Sequence, residues 1–458
     1  MSIYPIQMER VFYRSPSEHL VLKGTILQSY HNTKCQRALK ELLRVHPRLT
    51  CTVKEDQNHN IYYETNQDRS IPIKYYVGTR ENDWKFVVKE ELKIPFLMEQ
   101  DLTIRVCIVD RSNEFDLIMI MHHLLGDGLS LLYTYEDFLQ IYFHNSKLPQ
   151  KELQPLKCSD LPKDSRLNFI TRAVIHHLNH LWNSEKTIFT DSDFQTMFQK
   201  FQENNSNDFS IGVIDPTVLR QLYEKAHEHN VTINSILITA LLYQVTQSSI
   251  STKPDQKVIV ATNMRQKLFS NPVKGIGNYA SCISPMLSYN DTKDFWSNVK
   301  LIHEKVQKQL NSKRDFFSLS QTFGVINTSI FDGLYFSSYS DFQSKNVCKV
   351  RKVLKAGQKD EGLDISNLGR FTLDANSKLT LVKDFVYLPP TSSSVDITVG
   401  VITVSNQMCL GLIYNENRFD YQTINLILQS TIALLTRVSE STHKGEHNEK
   451  ESESENVI

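Results

Sequence analysis

The chain has 458 residues, 40% hydrophobic and 22% charged, a balance that fits a soluble globular protein with room for two sizeable cores. Basic and acidic side chains number 51 each, so the formal net charge is zero and no basic footprint points to nucleic acid. Seven cysteines without C-x-x-C spacing suggest reduced thiols, the first ten residues lack an apolar signal core, and the longest apolar run (236–243) is too short to span a bilayer, so a cytoplasmic protein is expected.

In chain order, Cys35, Ala38, Leu39, Leu42 and Leu43 mark a helix over 33–45, which must stop before Pro47. Strands are predicted at 50–53, 61–63 and 71–77, a helix at 84–92 and a strand at 102–109. The run 115–121 is almost wholly apolar and reads as a buried strand, and 102–109 is placed to pair with it. An amphipathic helix follows over 129–143. The stretch 145–163, with three prolines, reads as a crossover loop, followed by a helix at 167–182. The second half opens with a strand at 209–214 and a helix at 216–229, then a buried helix from Thr232, its N-cap. Strands at 257–262 and 280–286 bracket a glycine turn, and 294–310 is helical. Strands near 362–366, 378–382, 397–404 and 407–414 precede a last helix at 421–435. From 439 onward the composition is polar, hence a disordered tail.

Between the strand at 115–121 and the helix at 129–143 stands His122-His123-Leu124-Leu125-Gly126-Asp127-Gly128. Histidine titrates near neutral pH and can take and return a proton. His123 begins the turn and is placed to reach a cavity, whereas strand alternation sends His122 to the opposite face. Gly126 and Gly128 permit positive φ, so a sharp reversal is expected there. Asp127 is expected to brace the loop. A buried carboxylate needs a cationic partner, and Arg265, just after the strand at 257–262, is the candidate. The candidate catalytic set is His123, His122 and Asp127. Gly126, Gly128 and Arg265 are structural at the site, and Ser366 and Asn367 are either substrate-binding donors or turn residues. No metal site is expected: H-E-x-x-H is absent, and His176, His177 and His180 read as a solvated or groove-lining helix face.

The motif resembles the HHxxxDG signature of the CoA-dependent acyltransferase superfamily, which includes nonribosomal-peptide condensation domains, alcohol acetyltransferases and polyketide-associated acyltransferases. Weaker similarity extends over nearly the whole chain. His46-Pro47-Arg48-Leu49, Asn263-Met264-Arg265, Gly275-Ile276-Gly277-Asn278-Tyr279 and Ser366-Asn367-Leu368-Gly369 carry it. No DFGWG-like segment, carrier module or adenylation motif is found. The resemblance implies an α+β fold of two chloramphenicol-acetyltransferase-like halves around a central tunnel. The expected division is 1–185 and 186–438, with 439–458 as the tail. It also implies His123 as general base, Asp127 paired with Arg265, no covalent intermediate and no permanently bound cofactor. The expected reaction moves an acyl group from acyl-CoA, as co-substrate, to a small-molecule alcohol. The alternatives are amide formation with an acyl carrier protein and an amine, or a catalytically silent scaffold that binds thioesters.

Overall fold

All eight residues of the strand Phe115–His122 are buried, the pattern of a strand covered on both faces. This computed structural model describes residues 3–440, apart from 67, 152–154, 186, 249, 270–273, 355–359, 373–380 and 392–394. Phe115–His122 is the central strand of a five-stranded sheet ordered Val382–Leu388, His19–Ile26, Phe115–His122, Ile104–Asp110, Ile73–Val77. Only the last pair is parallel. Helices Asn32–Val45 and Gly128–His144 share its core through Leu39, Leu42, Leu131, Tyr135 and Phe138. A three-stranded sheet of Ile3–Ile6, Ile61–Thr65 and Cys51–Glu55 joins the same core through Val53, Ile61 and Tyr63.

The second lobe is built on an open sheet ordered Ala280–Ile283, Asp255–Asn263, Asp360–Phe371, Val395–Val404, Gln407–Asn415, Asn207–Ile214. Met286–Ser288 also pairs with Asp255–Asn263. A single strand was expected over 280–286; Ser284 and Pro285 divide it, since proline has no N–H to give the ladder. Helix Ile233–Gln247 is buried without a break over 235–242, so its apolar residues surround it instead of forming a stripe. Thr232 caps it by accepting the Ser235 N–H at 3.2 Å.

Two of the contacts that join the lobes bear on the site. Val382–Leu388, late in the chain, hydrogen-bonds to His19–Ile26 of the first sheet and also packs on Val395–Val404 and Gln407–Asn415 of the second. Gly400 makes this approach possible, because a Cβ there would collide with the Tyr387 carbonyl oxygen. The other is the motif turn itself, described below. Of the expected strand at 378–382, residues 378–380 lie outside the described residues; the observed strand begins at Val382. Within the expected tail, Ser439 and Glu440 end helix Tyr421–Glu440 and 441–458 lie outside the described residues.

A third, all-helical cluster was not anticipated in its later members. Helices Phe169–Asn183, Ile330–Tyr339 and Lys345–Leu354 pack around Trp182, whose indole N–H donates to Ser329 Oγ at 2.7 Å. Helix Asp191–Asn204 was also unassigned, although Thr190 and Asp193 form a capping box and Phe194, Met197, Phe198 and Phe201 have helical spacing. No helix among the described residues is long and apolar enough to cross a membrane.

Candidate active site

His123 is the first residue past the strand Phe115–His122, and its main-chain N–H donates to the Glu18 carbonyl at 2.8 Å. Its ring stacks on Phe12, with centroids 4.3 Å apart and planes 11° apart. The ring is half-buried and lines a cavity of about 220 Å³ between the lobes. Phe12 and His123 come from the first lobe; Asn278, Asp364, Ser366 and Thr398 come from the second. The described cavity wall contains the carboxyl-bearing Glu9, Asp127 and Asp364 and no Lys or Arg. Glu9 is buried, its Oε2 has no hydrogen-bond partner, and burial pushes its pKa up.

The Nδ1 edge of His123 is held in place. The Asn278 side-chain nitrogen lies 3.1 Å from both Nδ1 and the His123 carbonyl oxygen. The tautomers divide the roles. If Nδ1 accepts from Asn278, the proton sits on Nε2. If the Nδ1–H turns to its own carbonyl, or the Asn278 amide is turned over, Nε2 carries the lone pair. The second arrangement is the one that can serve as a base. Burial lowers the ring's pKa, against the pull of its own carbonyl and Asp127, so the ring is neutral at neutral pH.

Asp127 does not offer a free oxygen for chemistry. It is the N-cap of Gly128–His144, and its Oδ1 accepts from the Ser130 N–H and hydroxyl, both at 2.9 Å. Arg265 approaches bidentately, with Nη1 2.6 Å from Oδ2 and Nη2 3.0 Å from Oδ1. The Tyr279 N–H adds a bond to Oδ2 at 2.9 Å. Burial opposes ionisation, but Arg265 and the N–H donors outweigh it and hold the carboxyl below its usual range. Arg265 Nη2 and the Ser130 hydroxyl also reach the Gly277 carbonyl, at 3.0 and 2.7 Å. The motif turn of one lobe is thereby clamped to the Gly277–Tyr279 turn of the other.

Two expectations need correction. Neither Gly126 nor Gly128 has positive φ. They are required for space: a Cβ on Gly126 would lie 2.7 Å from the Ser130 Cβ, and one on Gly128 would collide with the Tyr387 hydroxyl. His122, grouped above with the catalytic candidates, does not line the cavity. It is buried on the opposite face, edge-on to Phe96 at 5.6 Å, and its Nδ1 accepts the Leu124 N–H at 3.1 Å. It shapes the turn. Ser366 does line the cavity, 3.2 Å from the Tyr387 hydroxyl, whereas Asn367 bonds Asn234 and the Gly369 N–H away from it.

Sequence reasoning assigned no site role to Phe12, Ser130 or Asn278. Ser130 had a signal, since Asp127 three residues before it forms an N-cap pair. Phe12 lies 111 positions from His123 and Asn278 lies 155 away, and no local pattern links them. Among the described residues no group of three His, Cys, Asp or Glu side chains could hold a metal ion.

A family model described as Condensation domain matches residues 22–324. The chain belongs to the condensation-domain family, within the CoA-dependent acyltransferase superfamily. Members of this family are acyl-transferring enzymes that need no resident cofactor. Bacitracin synthase 3 of Bacillus licheniformis is 26% identical over 220 residues, which are 45% of this chain but 3% of that protein's length. The fold is shared with the first condensation domain of the calcium-dependent antibiotic synthetase (TM-score 0.65, 9% identity, 96% of this chain and 97% of that one). It is shared also with the epimerization domain from the third module of tyrocidine synthetase B (0.62, 14%, 96% and 97%). Polyketide synthase associated protein 5 from Mycobacterium tuberculosis is a third example (0.59, 12%, 96% and 98%).

Proposed function

We propose that this chain forms amides, joining an acyl group carried as a thioester on a carrier protein to an amine acceptor. The observation that carries the reading is the His123 ring at the inter-lobe cavity, with Nδ1 fixed and no described side chain bonded to Nε2. The family match and the similarity to a peptide synthase favour a carrier-bound donor over acyl-CoA. The cavity wall agrees with an amine, because Glu9 and Asp364 present carboxyl groups there and no described Lys or Arg lines it. The alcohol acceptor and acyl-CoA donor expected from the motif take second place.

In the proposed reaction the amine nitrogen attacks the thioester carbonyl. His123 Nε2 takes a proton from that nitrogen as the new C–N bond forms. The tetrahedral intermediate then expels the thiolate, breaking the C–S bond, and His123 returns the proton to sulfur. The products are an amide and a free thiol, and the enzyme forms no covalent bond. Positioning of both reactants supplies much of the remaining acceleration.

The test is a thiol-release assay with acyl-carrier and acyl-CoA donors, each offered to amines and alcohols, with products identified by mass spectrometry. Amide from the carrier donor, lost in His123→Ala, is the expected result. Ester formed from acyl-CoA without amide would return the reading to an O-acyltransferase. Thioester binding without thiol release under any pairing would identify a silent scaffold.

A further inference from the structure

We infer that the helical cluster around Trp182 carries a docking face for an anionic phospholipid surface. The inference does not depend on the acyl-transfer reading. Phe169 is the most exposed large apolar side chain among the described residues, at 85%, and Ile170 beside it is exposed at 74%. Both lie in the first turn of Phe169–Asn183, and exposed Val174 follows one turn later. The neighbouring helix Lys345–Leu354 starts at the end of this one, where Asn346 donates to the Leu181 carbonyl at 3.2 Å and to Ser184 Oγ at 3.0 Å, and packs back on it through Val347 and Val350 in the cluster of Ile175, Leu178 and Trp182. Ten residues of helix span about 15 Å, so its far end, with exposed Val353 and Leu354, reaches about the level of Val174, just short of the first turn that carries Phe169 and Ile170.

The charge on these two helices is one-sided. Neither sequence contains Asp or Glu, and Arg172, Lys345, Lys349, Arg351 and Lys352 are all exposed. Arg166, also exposed, precedes the first helix. The chain as a whole has zero formal charge, so this concentration is local. Apolar side chains beside Lys and Arg on surface helices match the interfacial pattern, in which apolar groups enter the boundary below the headgroups and cations meet lipid phosphates. Side chains that stand this far proud of the surface suit a deformable layer better than a preformed pocket. The cluster also meets the cavity wall, because Phe323 packs on it and lines the cavity. Docking would therefore hold the site close to the bilayer without any spanning segment.

Flotation of the full chain with vesicles tests this directly and needs no substrate. Phosphatidylcholine vesicles are compared with vesicles in which phosphatidylglycerol replaces part of the phosphatidylcholine. The chain is expected to float with the anionic vesicles, to remain below with the neutral ones, and to dissociate as salt is raised. Phe169→Ser with Ile170→Ser should abolish flotation. Lys349→Gln with Lys352→Gln should weaken partitioning by roughly 25-fold, about fivefold for each charge. The substituted side chains are exposed, and circular dichroism melting checks that both pairs keep the fold. No flotation with anionic vesicles overturns the proposal, as does flotation that neither pair alters. Binding to soluble polyglutamate without binding to vesicles would also overturn it and would mark the face as one for an acidic protein.

Discussion

His122 and His123 are joined by one peptide bond, yet their surroundings share almost nothing. His122 faces a packed layer with His19, Phe96 and Arg105, and its Nδ1 already accepts the Leu124 N–H. His123 faces the seam between two lobes, where one ring edge is held by Asn278 and the other lines a cavity. The difference comes from strand alternation, which sends successive side chains to opposite faces. Only one face of this strand end meets the second lobe. The same residue type is thus a turn-former at one position and a candidate base at the next.

The strongest way to break the contrast is to remove each ring in turn. His123→Ala should lower the transfer rate about 10²–10⁴-fold, the usual contribution of a general base, while circular dichroism still reports a folded protein. Full activity in that variant would remove the proposed role. Next in size is the clamp beneath the turn. Arg265→Ala leaves Asp127 buried with its cation gone and should destabilise the protein by about 3–5 kcal/mol, read from chemical denaturation. A loss well under that range would mean that the N–H donors and the Ser130 hydroxyl carry Asp127 by themselves. Smaller again is Gly128→Ala. Its methyl group meets the Tyr387 hydroxyl and Leu368, and the expected cost is about 1–3 kcal/mol, measured by the same unfolding curves. An unchanged stability would show that Tyr387, and with it the strand that crosses between lobes, yields easily.

Much of this contrast was legible in the amino-acid order. The almost wholly apolar run before the motif pointed to a two-face-buried strand, and its period placed His122 and His123 on opposite sides. Electrostatics demanded a cation for Asp127, and the resemblance to the acyltransferase superfamily favoured Arg265, after the strand Asp255–Asn263, as that cation. The function of the glycines was misread, because sequence shows that a Cβ is absent but not whether φ or a neighbour requires it. Tyr387 is 259 residues away from Gly128. Phe12 and Asn278 were out of reach for the same reason. The crossing strand Val382–Leu388 was displaced toward 378–382 because half-polar Val-Lys-Asp-Phe gives no clean alternation at its start. The helices between 313 and 354 escaped since their apolar positions are interleaved with Ser, Asp and Lys, and a cluster of short helices stabilises itself by tertiary packing more than by local pattern.

The pH dependence separates the two rings most finely. Burial lowers the His123 pKa from the usual 6.5, so the enzyme's own acid limb in kcat/KM should inflect below 6.5. Stability has its own acid limb. His122 is held well below 6.5 by burial and then by nearby His19, His123 and Arg105, and burial with Arg105 takes His19 down to about 3. Below 6.5 the unfolded chain binds protons that the folded rings refuse. Their contribution to stability is therefore complete above 6.5 and is lost as the pH falls, by up to about 1.4 kcal/mol per pH unit for each ring. His122→Asn keeps an oxygen that can accept the Leu124 N–H but removes one titrating group. It should flatten the stability limb by one ring's share and leave the inflection of kcat/KM in place. If the rate profile moves instead, the two imidazoles act as one unit, and the separation drawn from the geometry fails.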